Sequence, residues 1–139
     1  MSIEDNKVLA RRAIEEIMNQ RNLAVFAELH SPDYVCHLNS RTIQGPEPVK
    51  QLLSMVLTAF PDLHYTFEDL FGEGDRVVVR YTSRGTHKGD LMGIPPTGKQ
   101  VTVTGIDIMR IANGKILEEW INNDLMQQLG VTSTPVQAS

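Results

Sequence analysis

Few side chains in these 139 residues combine a type and a setting suited to moving a proton near neutral pH. Asp107 comes first. It lies in an extended run, Gln100 to Ile111, whose alternate residues Val103, Gly105 and Met109 share its face. A carboxyl among apolar neighbours resists ionisation, which raises its pKa towards the range of a general base. On a solvated face it would be an ordinary surface acid. Asp124 follows Asn122 and Asn123, and reads either as a second interior carboxylate or as the cap of a short helix from Leu125 to Leu129. His37, next to Cys36 on a short strand, would hold an oxyanion or relay a proton; the alternative is a hydrogen-bonded structural histidine. Arg80 would orient a carbonyl or an anion, or pair with an acid on an outer sheet face. His87 reads as a rim residue, Trp120 as a pocket wall or an interface anchor, and Asn123 as a polar substrate contact.

Other chemistries lack their residues. His30, His37, His64 and His87 show no metal-ligand spacing, so no metal site is expected. Gly72 and Gly74 sit in a hairpin turn instead of opening a helix, so they make no phosphate loop. The single Cys36 excludes an intrachain disulfide and a Cys-x-x-Cys pair, and no base stands at readable spacing to activate it. Thirteen Lys+Arg against seventeen Asp+Glu give a net charge of −4, with no basic run, which argues against nucleic acid as a partner. No apolar stretch reaches the roughly 18 residues of a membrane span, and the acidic N-terminus is unlike a secretory signal. A soluble cytoplasmic protein is the expectation.

The elements that must position these groups follow from periodicity. Leu9, Ala13, Ile14, Ile17 and Met18 recur as one face of a first helix. Asn22 is placed to cap a second, carrying Leu23, Phe26 and Leu29, and Ser31-Pro32-Asp33 reads as a turn before a strand from Tyr34 to Leu38. A third helix opens after Gly45 with Pro46 in its first turn, and Pro61 ends it. The period then becomes two. Strands are expected through 63–71, 77–87, 100–111 and 115–123, the last two joined by the Asn113-Gly114 hairpin signal. This order predicts an α+β domain over 1–130, a curved antiparallel sheet with three helices from the N-terminal half in its concave face, and a flexible tail over 131–139. An apolar pocket is expected between sheet and helices.

The segment 85–99 holds four glycines and Pro95-Pro96 between two strands, and reads as a long hairpin loop or a pocket rim. Its Gly-Thr-His-x-Gly and Gly-Ile-Pro-Pro-Thr-Gly runs resemble the SnoaL-like polyketide cyclase family of the nuclear-transport-factor-2-like superfamily. Met109 to Ile116, Gln128-Leu129-Gly130 and Ser31 to Val35 add to the resemblance, which covers most of residues 4–130. It implies a cone-like fold, a cofactor-free pocket, a small-molecule substrate and a homodimer through the sheet's outer face. Characterised relatives close a polyketide ring by aldol chemistry, with a carboxylate removing a proton α to a carbonyl. The resemblance places their acid/base aspartate at Ile121 and an inward histidine at Asp107. The ketosteroid-isomerase branch would need a tyrosine at Ala13 or Ile14 and a base near Leu38, and the Arg-x-Asp of the epoxide-hydrolase branch is missing. The leading expectation is cofactor-independent cyclisation, isomerisation or dehydration by Asp107 or Asp124 with His37 assisting. A binding module and a dimerisation domain are the rivals. For the dimer, Thr102, Thr104, Ile106, Ile108, Ile116 and Trp120 are expected on one outer face.

Overall fold

In the computed structural model, which describes residues 2–130, the chain enters α1 (Ile3–Ile14) through a reciprocal cap. The Ser2 hydroxyl accepts from the Asp5 N–H, and the Asp5 carboxylate accepts from the Ser2 N–H. The helix runs into a π turn, Glu15–Asn19. That turn aims Asn19 at the sheet, where its amide accepts from the Tyr65 N–H at 2.7 Å and donates to the Tyr65 carbonyl at 3.0 Å. A side chain thus supplies the bonds that a further strand would have made. A 3-10 turn at Leu23–Val25 leads into α2 (Phe26–Leu29). Asn22 stands before that turn, but its side chain makes no capping bond, contrary to expectation. Gly45, at φ 90°, admits α3 (Pro46–Ala59) with Pro46 at its first position, where a missing N–H costs nothing.

The sheet contains β1 (His30–Leu38), β2 (Arg41–Gln44), β3 (His64–Glu73), β4 (Arg76–Thr86), β5 (Gln100–Ala112) and β6 (Lys115–Asn123), in the order β2-β1-β6-β5-β4-β3. It curves without closing, and the helices lie in its hollow, as the α+β reading required. Three details differ. Ser31-Pro32-Asp33 is a bulge inside β1, where the register shifts between His30 and Val35 and the Ser31 hydroxyl accepts from the Asp33 N–H. β2 is too short and polar to show alternation in sequence. The pairing of β1 with β6 is parallel, the other four being antiparallel. No hairpin joins these two strands, so nothing local dictates their relative direction.

Asn113 and Gly114, at φ 53° and 73°, form the expected two-residue turn between β5 and β6. A bulge follows it. Arg110 pairs with Glu118, but Ile111 pairs with Ile116, so Leu117 is the extra residue. This reverses side-chain parity along β6. Ile116 is fully buried inside, which corrects its assignment to the outer face beside Trp120. Downstream of the bulge Glu119, Ile121 and Asn123 lie opposite the inward residues Met109, Asp107 and Gly105.

The glycine-rich segment is fastened to the end of α3. The Lys88 and Gly89 N–H groups both donate to the Ala59 carbonyl, at 2.9 and 3.1 Å. A short final helix, α4 (Leu125–Gln128), lays Leu125 and Met126 against the core, with buried Leu129 after it. Gly105 makes room for the ring of Tyr81 on the neighbouring strand; a Cβ there would lie 2.4 Å from that ring. Tyr81 is buried and cannot swing aside. Gly105→Ala should therefore cost about 1–3 kcal/mol by overpacking, read as a lower urea midpoint at unchanged slope.

Candidate active site

Alternation along five strands gathers one polar group in the hollow. β1 contributes Tyr34 and Cys36, β3 Tyr65, β4 Tyr81, β5 Asp107, and β6 Glu119 and Asn123. Glu119 pairs directly with Cys36 on one side and Met109 on the other, so it is diagonal to Asp107 across the β5–β6 seam. Diagonal side chains of this length reach each other. Asp107 is 4% and Glu119 6% exposed. Burial first, then the charge of Glu119 and a hydrogen bond with it, hold the Asp107 carboxyl well above the usual carboxylate range. No N–H or hydroxyl donor of the protein reaches Oδ1 of Asp107.

Glu119 is anchored on its other side. The Tyr34 hydroxyl donates to Glu119 Oε1 at 2.5 Å. Tyr34 stands edge-on to His30, ring centroids 4.6 Å apart, and His30 stacks on Phe26 at 3.8 Å. The Phe26 carbonyl accepts from His30 Nδ1, and burial lowers the His30 pKa, so this imidazole is neutral with its proton on Nδ1. Burial, then the charge on Glu119, push the Cys36 thiol up to about 12, which makes it inert as a nucleophile. One rung from Asp107, Tyr65 and Tyr81 pack with centroids 4.9 Å apart, and Asn123 Nδ2 reaches the Tyr81 hydroxyl at 3.4 Å. Burial raises the pKa of all three phenols, so they stay protonated donors.

Of the residues singled out in sequence, Asp107 and Asn123 enter this group and the others do not. His37 points to the outer face, where Nε2 is 2.6 Å from Glu118 and the ring stacks on Trp120. Parity explains it: on β1 the inward residues are Tyr34 and Cys36, so His37 must face out. Trp120 lies outward between His37 and the Arg76 guanidinium, which is 5.2 Å from its ring, and is no pocket wall. Arg80 is exposed and pairs with Asp69 at 2.6 Å. Asp124 accepts from the Thr104 N–H and from Gln128 Nε2, tying α4 to β5; its side chain caps no helix. His87 is fully buried, not a rim residue. It stacks on Phe60, accepts from the Thr97 N–H, and sits eight residues along the chain from Val79, the partner of Asp107, or about 26 Å at the rise of a strand.

One depression brings Arg80, Asn123 and Asp124 together beside Gly105 and so meets this group at Asn123; another is lined by Phe71, Arg76, Val78 and Ile108. Glu119 and Tyr34 escaped the sequence reading, although a signal for both existed. Once Ile121 is taken as inward, period two makes Glu119 inward as well, and the same step from Cys36 reaches Tyr34. Among the described residues no three His, Cys, Asp or Glu side chains stand close enough to hold a metal, and no helix is long and apolar enough to cross a membrane.

The curved, unclosed sheet with helices in its hollow is a fold shared with known small-molecule enzymes. The chain belongs to the SnoaL-like polyketide cyclase family, whose model matches residues 8–130. It is 32% identical over 108 residues to the nogalonic acid methyl ester cyclase of Streptomyces nogalater, covering 71% of this chain and 78% of that one. Among solved structures it is similar to AclR, a candidate hydroxylase from Streptomyces galilaeus, at 29% identity and a TM-score of 0.81 over 99% of this chain and 95% of that chain. A candidate SnoaL-like polyketide cyclase from a Jannaschia species superposes with a TM-score of 0.86 at 25% identity, over 97% and 96% of the two chains.

Asp107 also leaves a mark on stability. An aspartate ordinarily titrates near 3.8, whereas folded Asp107 keeps its proton to higher pH. Across that window the folded state binds more protons than the unfolded one, so this group's contribution falls as pH rises above about 4. Asp107→Asn cannot ionise. Urea midpoints measured at about pH 5 and pH 8 should drop further for the wild type than for Asp107→Asn.

Proposed function

We propose that this chain is an enzyme of its family that moves protons on an uncharged carbonyl compound, with the Asp107 carboxyl as an acid/base group. One observation carries the reading: Asp107 is enclosed on the concave face with no N–H or hydroxyl donor reaching Oδ1 and a raised pKa. A carboxyl kept neutral can donate to a carbonyl oxygen, and its conjugate base can accept a proton from carbon. Proton removal α to a carbonyl followed by attack on a second carbonyl gives ring closure, the activity in the name of the Streptomyces nogalater relative. Isomerisation and dehydration use the same transfers. Two carboxyls and nearby phenol donors suffice for these steps, and no cofactor is needed to balance them.

The charge of the site narrows the substrate. Asp107 and Glu119 are the buried acids, and no lysine or arginine among the described residues is buried to balance an anion. A ketone or an ester suits this interior better than a free carboxylate. The relative's name likewise specifies a methyl ester. Tyr81 and Asn123, on the rung beside Asp107, are the polar contacts for such a substrate. Ile121 favours a second reading, a binding module without turnover, because it stands where the resemblance implies the acid/base aspartate.

Asp107→Asn keeps shape and hydrogen bonding and should lower turnover of a 1,3-dicarbonyl ester, chosen from a panel of polyketide-like compounds, by about a hundredfold or more. The corresponding free acids should bind at least about tenfold more weakly than the esters. Asp124→Asn, which leaves one acceptor oxygen for Thr104 and Gln128 in place of two, should show a small fraction of the Asp107→Asn effect. Equal turnover in wild type and Asp107→Asn would end the role of Asp107, and a wild type that binds compounds of the panel but turns none over would favour the binding module.

The same reading includes a homodimer. Phe71 and Ile106 are 57% and 47% exposed on the outer sheet face, and Trp120 and Ile108 lie beside them. A second copy would cover that apolar surface. Light scattering at micromolar concentration should give twice the 15.6 kDa of the chain, and Ile106→Asp should shift it towards the monomer. A wild-type mass near 15.6 kDa would sink the dimer.

A further inference from the structure

Acid/base chemistry at a carbonyl needs two partners, one to take a proton from carbon and one to serve the oxygen. Asp107 can be only one of them at a time. The two buried carboxyls are not equivalent in their surroundings. Glu119 already accepts the Tyr34 hydroxyl on Oε1, and Tyr34, 1% exposed and wedged against Phe26 and His30, cannot turn to another acceptor. Asp107 receives no such donor: no N–H or O–H of the protein reaches its buried Oδ1.

Resting on the acid/base reading above, we propose that Glu119 is the proton-abstracting base of this site, that Tyr34 is its positioning residue, and that Asp107 keeps the proton it offers to the substrate oxygen. Two carboxyls in contact without a cation cannot both ionise, so the pair holds one proton. A hydrogen bond donated to one member favours the charge there. Here the donor is Tyr34 and the member is Glu119. The proton is left to Asp107, whose raised pKa, caused by burial and by the Glu119 charge, agrees with that division. At rest the protonated Asp107 shares a hydrogen bond with Glu119, and a bound carbonyl oxygen would take that proton's hydrogen bond over as Glu119 accepts the α-proton.

The step balances within the site. Glu119 takes the proton from the carbon α to the carbonyl. The C–H pair becomes the new C=C bond, the carbonyl π pair moves onto oxygen, and Asp107 donates a hydrogen bond to that oxygen. If the nucleophilic carbon then attacks a second carbonyl, a C–C bond forms and the new alkoxide takes the proton back from Glu119. Both carboxyls end as they began, and no oxidant or reductant is consumed.

The groups that set any pH response are Tyr34, Cys36 and His30 around β1, Tyr65 on β3, Tyr81 on β4 and Asp107 on β5. The first test needs no substrate. Carbon-13 NMR of the side-chain carboxyls of the wild-type protein, followed from about pH 4 to pH 9, should show Glu119 ionised and Asp107 protonated at neutral pH. The reverse assignment would overturn the proposal. On a turned-over dicarbonyl ester, Glu119→Gln should lose about a hundredfold in kcat, and Glu119→Asp should recover part of it. Tyr34→Phe should move the acidic limb of the kcat profile to higher pH with little change in KM, because removing the donor disfavours the charged base. A purely structural Tyr34 would lower stability and leave that limb in place. Loss in Asp107→Asn with full activity in Glu119→Gln would end the Glu119 assignment and leave the acid/base reading standing. Full activity in both variants would end both.

Discussion

Two carboxyls buried against each other with no cation beside them impose the constraint on which the site depends. In such a pair the ionisation of one carboxyl opposes that of the other, and whatever surrounds it decides which member keeps a proton longer. The surroundings here are lopsided. One side is a phenol fixed by a stack of aromatic rings, and the other is an apolar wall that includes Val103 and Met109. The fold can bear the cost of burying the pair because the five strands that present these residues are hydrogen-bonded to their neighbours over most of their length.

Irregularities of the sheet, more than its regular parts, bring the groups together. Leu117 is one residue too many for its partner strand, and without it the side chains of one end of β6 would face the wrong way. The parallel seam between β1 and β6 sets Cys36 against Glu119 and brings Tyr34 within reach of it. The π turn after α1 puts Asn19 on the open edge of β3, which holds Tyr65 in register beside Tyr81. Helix distortions of this kind are frequent near functional groups.

The departure from the family pattern also acquires a geometric sense. The resemblance implies an aspartate at Ile121 and a histidine at Asp107, and these two positions are cross-strand partners. A carboxyl is therefore present on the same rung, on the opposite strand. Glu119, one step further along β6, faces the same interior. The rung holds an aspartate and an isoleucine, and the polar partner of the aspartate comes from the diagonal.

Much of this protein was legible in its residues. Apolar spacing located α1 and α3, Asn113-Gly114 located the β5–β6 turn, and alternation put Asp107 on a face with Val103 and Met109. These are local properties, set by periods of 3.6 and 2 and by the φ angles that a turn demands. Tertiary structure alone decided the rest. That His37 faces out beside Glu118, that Ile116 faces in, and that Tyr34 meets Glu119 across 85 positions of sequence depend on a bulge and on a parallel pairing between distant strands. Neither has a local signature. An extra residue in a strand looks like any other residue until its partner is known, and strand direction is fixed by packing when no hairpin joins the pair.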